Sequence, residues 1–320
     1  MPQIRFSRMG SLEYWPRKRS KRAFARVRTW ATSKNAKLLG FAGYKVGMTH
    51  LFINDNSKTS NTKGTSISCP ATIIECPPIK TASIRFYKKT ENGAKIVSEI
   101  FAENFDKELG RAIILPKKKE RKNVPDYFDY IRLLVYTNPV LTGIGKKTPE
   151  VFEVAVGGNK EEQLKYSQEK LGKEIAVSEV FKAGQQVDIH GISKGKGVQG
   201  PVKRFGISRK QHKSEKGVRR VGSLGGWRAQ GHIMWRVAKA GKMGYHMRTE
   251  HNKWILKIGS NANDINKKGG FQSYGVVRGQ YIIVKGSVMG PQKRLIRMND
   301  ALIPNKHVPD EAPTAEYIHI

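Results

Sequence analysis

The segments GYKVGMTHLFIND (residues 43–55) and PATIIECPP (residues 70–78) decide the fold of this chain. In both, short runs of Val, Ile, Thr and Phe alternate with Gly, Asn, Ser and Pro, the pattern of strands joined by turns. The same pattern returns at residues 184–191, 253–259 and 274–290. Because these strand-rich segments lie on both sides of a different kind of unit, we predict one β-barrel whose strands come from both sides of an insertion.

That insertion covers residues 79–175 and mixes strand and helix patterns. The runs SIRFY and YIRLLVYT and an alternating segment after them are typical of strands. Asn159, with Glu162 three residues later and Gly172 at the far end, predicts a capped helix over 160–171. We therefore expect an α+β domain inserted into the barrel.

Charge is concentrated in two parts of the chain. The 320 residues include 59 Lys and Arg against 26 Asp and Glu, a net charge of +33. Residues 1–40 carry 11 basic residues and only Glu13 as an acid (net +10), and residues 191–244 carry 14 against Glu215 (net +13), so together they supply +23 of the +33. Residues 81–180 carry 18 against 15 and resemble an ordinary soluble domain. Two basic extensions on a globular body are the simplest interpretation.

The basic stretch at 191–244 lacks the means to fold alone. It contains 12 Gly, and Leu, Ile, Val and Phe together supply only 10 of its 54 residues. Burial of this small apolar surface does not offset the conformational entropy that is lost when the segment is ordered. Because the segment is strongly basic, we expect a polyanionic partner to order it. Residues 1–40 interleave basic residues with Tyr14, Trp15 and Trp30, a mixture that suits RNA, although a solvated disordered tail is the alternative.

Two tryptophans lie inside the basic stretch. Few apolar neighbours surround Trp227, which favours stacking on bases, with Arg219, Arg220 and Arg228 as phosphate clamps. Trp235, in the sequence IMWRVA, fits either stacking on RNA or a short amphipathic turn.

A dinucleotide fingerprint is the most tempting wrong interpretation. Gly195, Gly197 and Gly200 satisfy G-x-G-x-x-G after a strand candidate, but Pro201 and basic residues follow where a helix with an apolar face should begin. No acidic residue lies about twenty positions on. Backbone that approaches phosphates closely explains these glycines better.

Metal or acid–base chemistry is also disfavoured. Histidines 190, 212, 232, 246 and 251 cluster in sequence, but HExxH and CxxC spacings do not occur and the acidic residues near them are scarce. Two isolated cysteines, Cys69 and Cys76, are expected to be reduced and partly buried rather than a disulfide or zinc site. We predict no cofactor.

The sequence has no apolar run long enough to span a bilayer and no hydrophobic signal segment at its N-terminus. We therefore expect a cytosolic protein without a membrane partner.

Several motifs resemble one known family. FKAGQQVDIHGISKGKGVQG (181–200) followed by Lys203-Arg204 is similar to the hallmark of the universal large-subunit ribosomal protein three family, and GYKVGMTH (43–50), AGKMG (240–244) and KGSV (285–288) match it in order. The arm motifs GSL and PRKR resemble the archaeal and eukaryotic branch, and the length favours the archaeal type. Val198, Gln186 and Met289 depart from the family's usual residues; Met289 stands where a Pro is common.

The resemblance implies a translation-protein-type, Greek-key-like β-barrel with an inserted α+β domain and long basic extensions that penetrate RNA. The implied division is a basic N-terminal arm at 1–40, a barrel body at 41–78 and 176–300, the insertion at 79–175, a central extension at 198–250 within the body and a tail at 301–320.

The implied function is that of a non-enzymatic, structural constituent of the large subunit that acts in the cytoplasmic ribosome. Its partners would be large-subunit ribosomal RNA and neighbouring ribosomal proteins, with no small-molecule substrate. The extension would approach the peptidyl transferase centre with Gly225, Gly226 and Trp227 at its tip.

The predicted RNA contacts are basic, histidine and tryptophan side chains of the arm, the strand start and the extension. They are Arg17, Lys18, Arg19, Lys21, Arg22, Arg26, Arg28, Lys45, Lys194, Lys196, Lys203, Arg204, Arg209, Lys210, His212, Lys213, Arg219, Arg220, Trp227, Arg228, Trp235, Arg236, Lys239, Lys242, His246 and Arg248.

Two rival functions remain open from the residues alone. An RNA-processing or RNA-modifying enzyme would need a pocket with paired acid–base groups, and a chromatin-like DNA-binding protein would share the phosphate contacts. Turnover on ribosomal RNA tests the first, and duplex DNA against structured RNA at matched salt tests the second.

Overall fold

Half of the described strands join one sheet, and six of these close into a ring. The computed structural model describes residues 10–11, 14–57, 59–115, 123–225 and 231–319. The strands are β1 (Gly40–Asn54), β2 (Ser66–Glu75), β3 (Ile79–Thr90), β4 (Gly93–Phe101), β5 (Tyr130–Thr137), β6 (Val151–Ala155), β7 (Glu174–Ile175), β8 (Gln186–Ile192), β9 (Val198–Gln199), β10 (Gly241–Lys242), β11 (Met247–Gly259), β12 (Tyr281–Lys285), β13 (Leu295–Asp300) and β14 (Ala315–Ile318).

The helices in the described residues are few and short. The α-helices are α1 (Lys160–Lys170), α2 (Val177–Val180) and α3 (Pro201–Phe205), and 3₁₀ turns occupy Lys107–Arg111, Pro139–Leu141 and Ala262–Asp264. The predicted mainly β character is confirmed. No described helix is long and apolar enough to cross a membrane.

The main sheet runs in the order β13-β8-β11-β12-β2-β1-β14, and β1 also pairs with β13. That second pairing closes six of the strands into a ring, with β14 added at the far half of β1. The closure depends on the length of β1, whose first residues pair antiparallel with β13 and whose later residues pair with β14. Sequence segments before and after 79–175 therefore share this sheet.

The packing of β1 explains its sequence. Its first eight residues are buried, and its second half alternates between buried and exposed positions. Gly43 lies so close to β2 that an added Cβ would meet Ile74 Cγ2 at 2.6 Å and Cys76 Sγ at 2.7 Å. Only glycine fits such an approach without displacing a neighbouring strand.

A second sheet is built from strands of the 79–175 region. Its order is β4-β3-β5-β6, with β7 paired to β3, and β5 coincides with the predicted run YIRLLVYT. The predicted helix is confirmed as α1: the Asn159 N–H donates to Glu162 at 3.2 Å, and Gly172 follows the helix in the left-handed region with φ +75°.

Large aromatic side chains and several charged side chains are buried in this part of the chain. Tyr44, Phe181 and Tyr281 are fully buried. Arg297 is buried as well, with its guanidinium carbon 4.5 Å from the ring centre of Phe152 and its nitrogens bonded to backbone carbonyls, among them that of Ala25 at 3.2 Å. An isolated buried charge is costly, so these carbonyls and the ring faces stabilise it.

Both cysteines are free, and they are more deeply buried than the partial burial that was predicted; burial raises the pKa of each thiol. Two other details were not foreseen. Of the segment 274–290, only Tyr281–Lys285 is a strand. In the C-terminal tail, Ala315–Ile318 forms β14 and pairs with β1.

By its internal contacts the chain divides into two compact units: residues 1–23 with 192–247, and residues 24–191 with 248–320. The first, taken over its described residues, is called the arm–extension unit below, and the second the ring unit.

Candidate nucleic-acid interface

The base of the extension in the arm–extension unit is a short antiparallel ladder. Strands β9 and β10 pair, the Lys196 N–H donates to the Met243 carbonyl at 2.9 Å, and the Met243 N–H donates to the Gly197 carbonyl at 2.9 Å. The GKG and AGKMG motifs thus form the outgoing and returning sides of one stem. Gly244 has φ +74°, and an added Cβ would lie 1.9 Å from the Lys194 carbonyl, so this turn requires glycine.

A five-residue helix follows the outgoing side. Pro201 stands at the first helical position of α3, and Gly206 ends the helix in the left-handed region with φ +68°. From the sequence, Pro201 and the basic residues after it argued against a helix with an apolar face, and that expectation was wrong, because proline suits the first helical position and Pro201 and Phe205 are buried. Its last basic residue, Arg204, donates from Nε to the Lys242 carbonyl and from Nη1 to the Lys239 carbonyl, both at 3.0 Å. Arg204 therefore ties α3 to the returning strand with two of its donors.

The N-terminal arm is fastened to the same stem through its backbone. The buried His246 ring bonds through Nδ1 to the Lys18 carbonyl at 2.9 Å, and the Ser20 N–H donates to the Tyr245 carbonyl at 2.8 Å. His246 was predicted to contact RNA. In the structure, the Nδ1 atom of its ring instead bonds to the backbone of the N-terminal arm.

Aromatic contacts add to this attachment. The rings of Trp15 and Trp235 meet edge to face with centroids 4.9 Å apart. The Arg17 guanidinium lies 4.9 Å from the Trp15 centroid and 4.3 Å from that of Phe205. Such contacts are worth roughly 0.5–1.5 kcal/mol each. Trp235 keeps 60% of its surface exposed, so one face packs in the protein and the rest is open to a partner.

Most predicted contact residues that the structure describes are exposed. The exposed ones are Lys18, Arg19, Lys21, Arg22, Arg26, Arg28, Lys194, Lys196, Lys203, Arg209, Lys210, His212, Lys213, Arg219, Arg220, Trp235, Arg236, Lys239 and Lys242. All but Arg26 and Arg28 belong to the arm–extension unit. The described part of that unit therefore exposes many cationic side chains.

Other predicted RNA-contact residues are less exposed. Arg17, Arg204 and Arg248 are half-buried. Lys45 is buried, and its ammonium donates to the carbonyls of Val288 and, at 3.2 Å, Gly290, which leaves direct phosphate contact by Lys45 without structural support.

At the predicted tip, Gly225 is exposed with φ +73°. Gly226, Trp227 and Arg228 lie outside the described residues, so the tip assignment stays a prediction.

Two of the clustered histidines, His190 and His251, lie in the ring unit and have structural partners. Asp188 is buried, accepts from the Asn252 N–H at 2.9 Å and pairs with His251 at 3.0 Å. His190 bonds to Thr249 Oγ1 at 2.9 Å, and burial lowers its pKa to about 4. Such a histidine is neutral at pH 7 and holds two strands together. Among the described residues, no three His, Cys, Asp or Glu side chains are placed to hold a metal ion.

Sequence reasoning missed the attachment of the arm. Nothing in the spacing of Trp15 and Trp235, or of Lys18 and His246, signals that these residues meet, because they are more than 200 positions apart. The one available signal was the AGKMG motif just before His246, which marked the returning side of the stem.

Comparison with known proteins shows the family of this chain. The family model described as ribosomal protein L3 matches residues 1–127 and 115–319. The chain belongs to the ribosomal protein L3 family. Three curated relatives, each described as large ribosomal subunit protein uL3, come from archaea. That of Archaeoglobus fulgidus is 49% identical over 308 residues, which cover 93% of this chain and 92% of the relative.

The uL3 protein of Methanothrix thermoacetophila is 43% identical and spans 99% of this chain and 98% of its own length. That of Methanocaldococcus jannaschii is 46% identical over 93% of this chain and 92% of its own length. The L3 match thus covers the ring unit and the arm–extension unit together, which confirms the resemblance drawn from the motifs.

Proposed function

We propose that this chain is a structural constituent of the large ribosomal subunit that binds and organises large-subunit ribosomal RNA. Membership of the L3 family makes it a ribosomal protein rather than an enzyme, and its place is the ribosome of the cytoplasm. Neighbouring large-subunit proteins are its further partners.

One observation carries the RNA-binding part of this proposal: the described part of the arm–extension unit exposes many lysine and arginine side chains. Lysines and arginines neutralise phosphates and release the counterions condensed on RNA, which drives binding at low and moderate salt. His246 and Arg204 hold the stem together through bonds to backbone carbonyls. Most of the lysine and arginine side chains of the unit take no part in these bonds and stay exposed to a partner. Final ordering of the outer extension then accompanies RNA binding.

The closed ring and the second sheet support the architecture that the family resemblance implies. We assign the ring to a translation-protein-type β-barrel, with the body at 41–78 and 176–300 and the α+β insertion at 79–175. The basic arm at 1–40, the central extension at 198–250 and the tail at 301–320 complete the proposed division. Support comes from the strand order, in which residues on both sides of the insertion share one sheet.

The outer end of the extension is proposed to approach the peptidyl transferase centre, with Gly225, Gly226 and Trp227 at the tip. The support for this placement is the family resemblance of the segment and the exposed, left-handed turn at Gly225. Peptide bond formation itself belongs to RNA in this proposal, and the protein shapes its surroundings.

Sedimentation of the tagged full-length chain in cell extract tests the proposal. We expect co-migration with the large subunit, and loss of that co-migration when the extension is replaced by a short Gly-Ser linker between residues 200 and 241. A chain that stays free, or that follows DNA, would contradict it. Binding to structured RNA against duplex DNA at matched salt, and an assay for turnover of ribosomal RNA, separate it from the two rival functions.

A further inference from the structure

The loop between β12 and β13 has an unusual distribution of hydrogen bonds. Its first part, residues 286–290, is called the Gly286 loop here, and it begins within the KGSV motif. The Lys45 ammonium, buried inside the ring unit, donates to the carbonyls of Val288 and Gly290. A buried lysine therefore holds two peptide carbonyls of the loop from the inside.

Two more side chains take the neighbouring carbonyls. Thr72 Oγ1 donates to the Gly286 carbonyl at 2.7 Å, and Lys253 Nζ donates to the Ser287 carbonyl at 2.8 Å. Thr72 is fully buried in β2, and Lys253 also pairs with Glu250 at 2.9 Å. Carbonyls of four of the five loop residues are thus satisfied by side chains of β1, β2 and β11.

The N–H groups of the same loop have fewer partners in the protein than its carbonyl groups have. The Gly286 N–H donates to the Pro70 carbonyl at 2.7 Å. For the N–H groups of Ser287 and Met289, which are exposed and half-exposed, the described part of the chain supplies no acceptor, whereas Val288 and Gly290 are buried. Backbone donors in a folded protein require a partner from solvent or a ligand. An ammonium bound to the carbonyl of a peptide group also polarises that group and strengthens its hydrogen bonds.

The charge around the loop favours an anion as that ligand. Lys285 precedes the loop and Lys293 follows it, and both are exposed. Accessible backbone amides without an acceptor in the protein, beside lysines, are the elements of a phosphate site. None of these residues is among the predicted RNA contacts except Lys45, which lies on the inner side.

We propose that the Gly286 loop is a second RNA-binding site, in which the backbone amides of Ser287 and Met289 and the side chains of Lys285 and Lys293 bind a backbone phosphate of ribosomal RNA. Lys45 is a positioning residue of this site: it fixes the carbonyls inward and contacts no RNA. The proposal rests on the proposed function for its ligand but concerns the ring unit, away in sequence from the extension. The proposal also explains why the GYKVG and KGSV motifs occur together: Lys45 of the first motif holds the loop that begins in the second.

The test has two arms on the full-length chain. In the first, the amide resonances of Ser287 and Met289 are followed by NMR while inorganic phosphate is added at constant ionic strength, with chloride as the control anion. We expect saturable shifts of these amides with phosphate and none with chloride. Lys45→Met should reduce the phosphate-dependent shifts severalfold, and Lys253→Gln, which leaves Lys45 in place, tests the same effect if the Lys45 variant does not fold.

In the second arm, binding to a large-subunit ribosomal RNA transcript is measured over a salt series. A Lys285→Gln/Lys293→Gln double variant should lower the slope of log Kobs against log salt by roughly 1 for each phosphate that the variant no longer neutralises. The matched control is Lys95→Gln/Lys306→Gln, two exposed lysines elsewhere in the ring unit, whose slope should equal that of the wild type.

The outcomes separate this proposal from the wider one. Suppose that the wild type binds the transcript and that both double variants show the wild-type slope of log Kobs against log salt. The Gly286 loop is then not an RNA site, and this proposal is overturned while the proposed function stands. Amide shifts with phosphate but no slope change would show an anion site that RNA does not use, which also overturns it. If the wild type does not bind the transcript, the proposed function itself fails.

Discussion

His246 and Lys18 are joined by a hydrogen bond of 2.9 Å between the His246 Nδ1 atom and the Lys18 carbonyl oxygen, across 228 positions of sequence. The contact makes the N-terminal arm and the returning side of the extension parts of one structure. Because the acceptor is the backbone carbonyl of Lys18, the Lys18 side chain stays exposed and available for a phosphate. A predicted RNA contact, His246, therefore organises the surface on which other contacts stand.

The first prediction concerns this attachment. His246→Ala should release the arm, because it removes both the hydrogen bond and a buried ring, together worth about 1–2 kcal/mol. Proteolytic cleavage within residues 14–22 of the free protein should then rise roughly tenfold. His232→Ala, at an exposed histidine of the same extension, is the control. Equal cleavage rates in the two variants would show that His246 does not hold the arm.

The second prediction concerns the outer extension. Outside the stem and α3, residues 200–245 bury few apolar side chains, so in the free protein they should be cleaved while the ring unit stays intact. Addition of large-subunit ribosomal RNA should protect them, since phosphates supply the missing partners. Limited proteolysis with mass spectrometry measures both states. Full protection of this segment in the free protein would mean that it folds without RNA.

The strands were largely predictable because their pattern is local. Tyr130–Thr137 and Gln186–Ile192 were visible from alternation and β-branched residues, and α1 from its capping residues. The buried Arg297 was not, because its setting between Phe152 and the Ala25 carbonyl depends on residues far apart in sequence. Basic and aromatic composition likewise indicates RNA binding but does not distinguish an outward cation such as Lys18 from an inward one such as Lys45.

The third prediction concerns pH and the ring unit. Burial, with a smaller effect from the charge of Arg297, lowers the pKa of His190 to about 4, whereas an unfolded histidine titrates near 6.5. Between these values the unfolded chain binds the additional proton, so the stabilisation present above pH 6.5 is lost as the pH falls towards 4. Urea unfolding of the wild type should therefore show a decreasing free energy of unfolding from pH 7 to pH 5.

His190→Gln should flatten that decrease, because glutamine can bond to Thr249 without titrating. His307→Gln, at an exposed histidine, should leave the pH dependence as in the wild type. If the two variants show the same pH dependence as the wild type, the titration of His190 does not control the acid stability of the ring unit.

The fourth prediction separates the two tryptophans of the extension. Trp235 packs on Trp15, so Trp235→Ala should loosen the arm and reduce incorporation of the protein into large subunits. Trp227, at the proposed tip, should instead act after assembly: Trp227→Ala is expected to leave subunit yield near the wild-type level and to change tRNA binding or sensitivity to drugs that act at the peptidyl transferase centre. Sucrose-gradient profiles measure the first property, and peptidyl transfer assays on purified subunits measure the second. Because both substitutions remove an indole from the same extension, each is the other's control. Defective assembly with normal peptidyl transfer in the Trp227 variant would reverse the assignment and place Trp227 among the residues that fold ribosomal RNA.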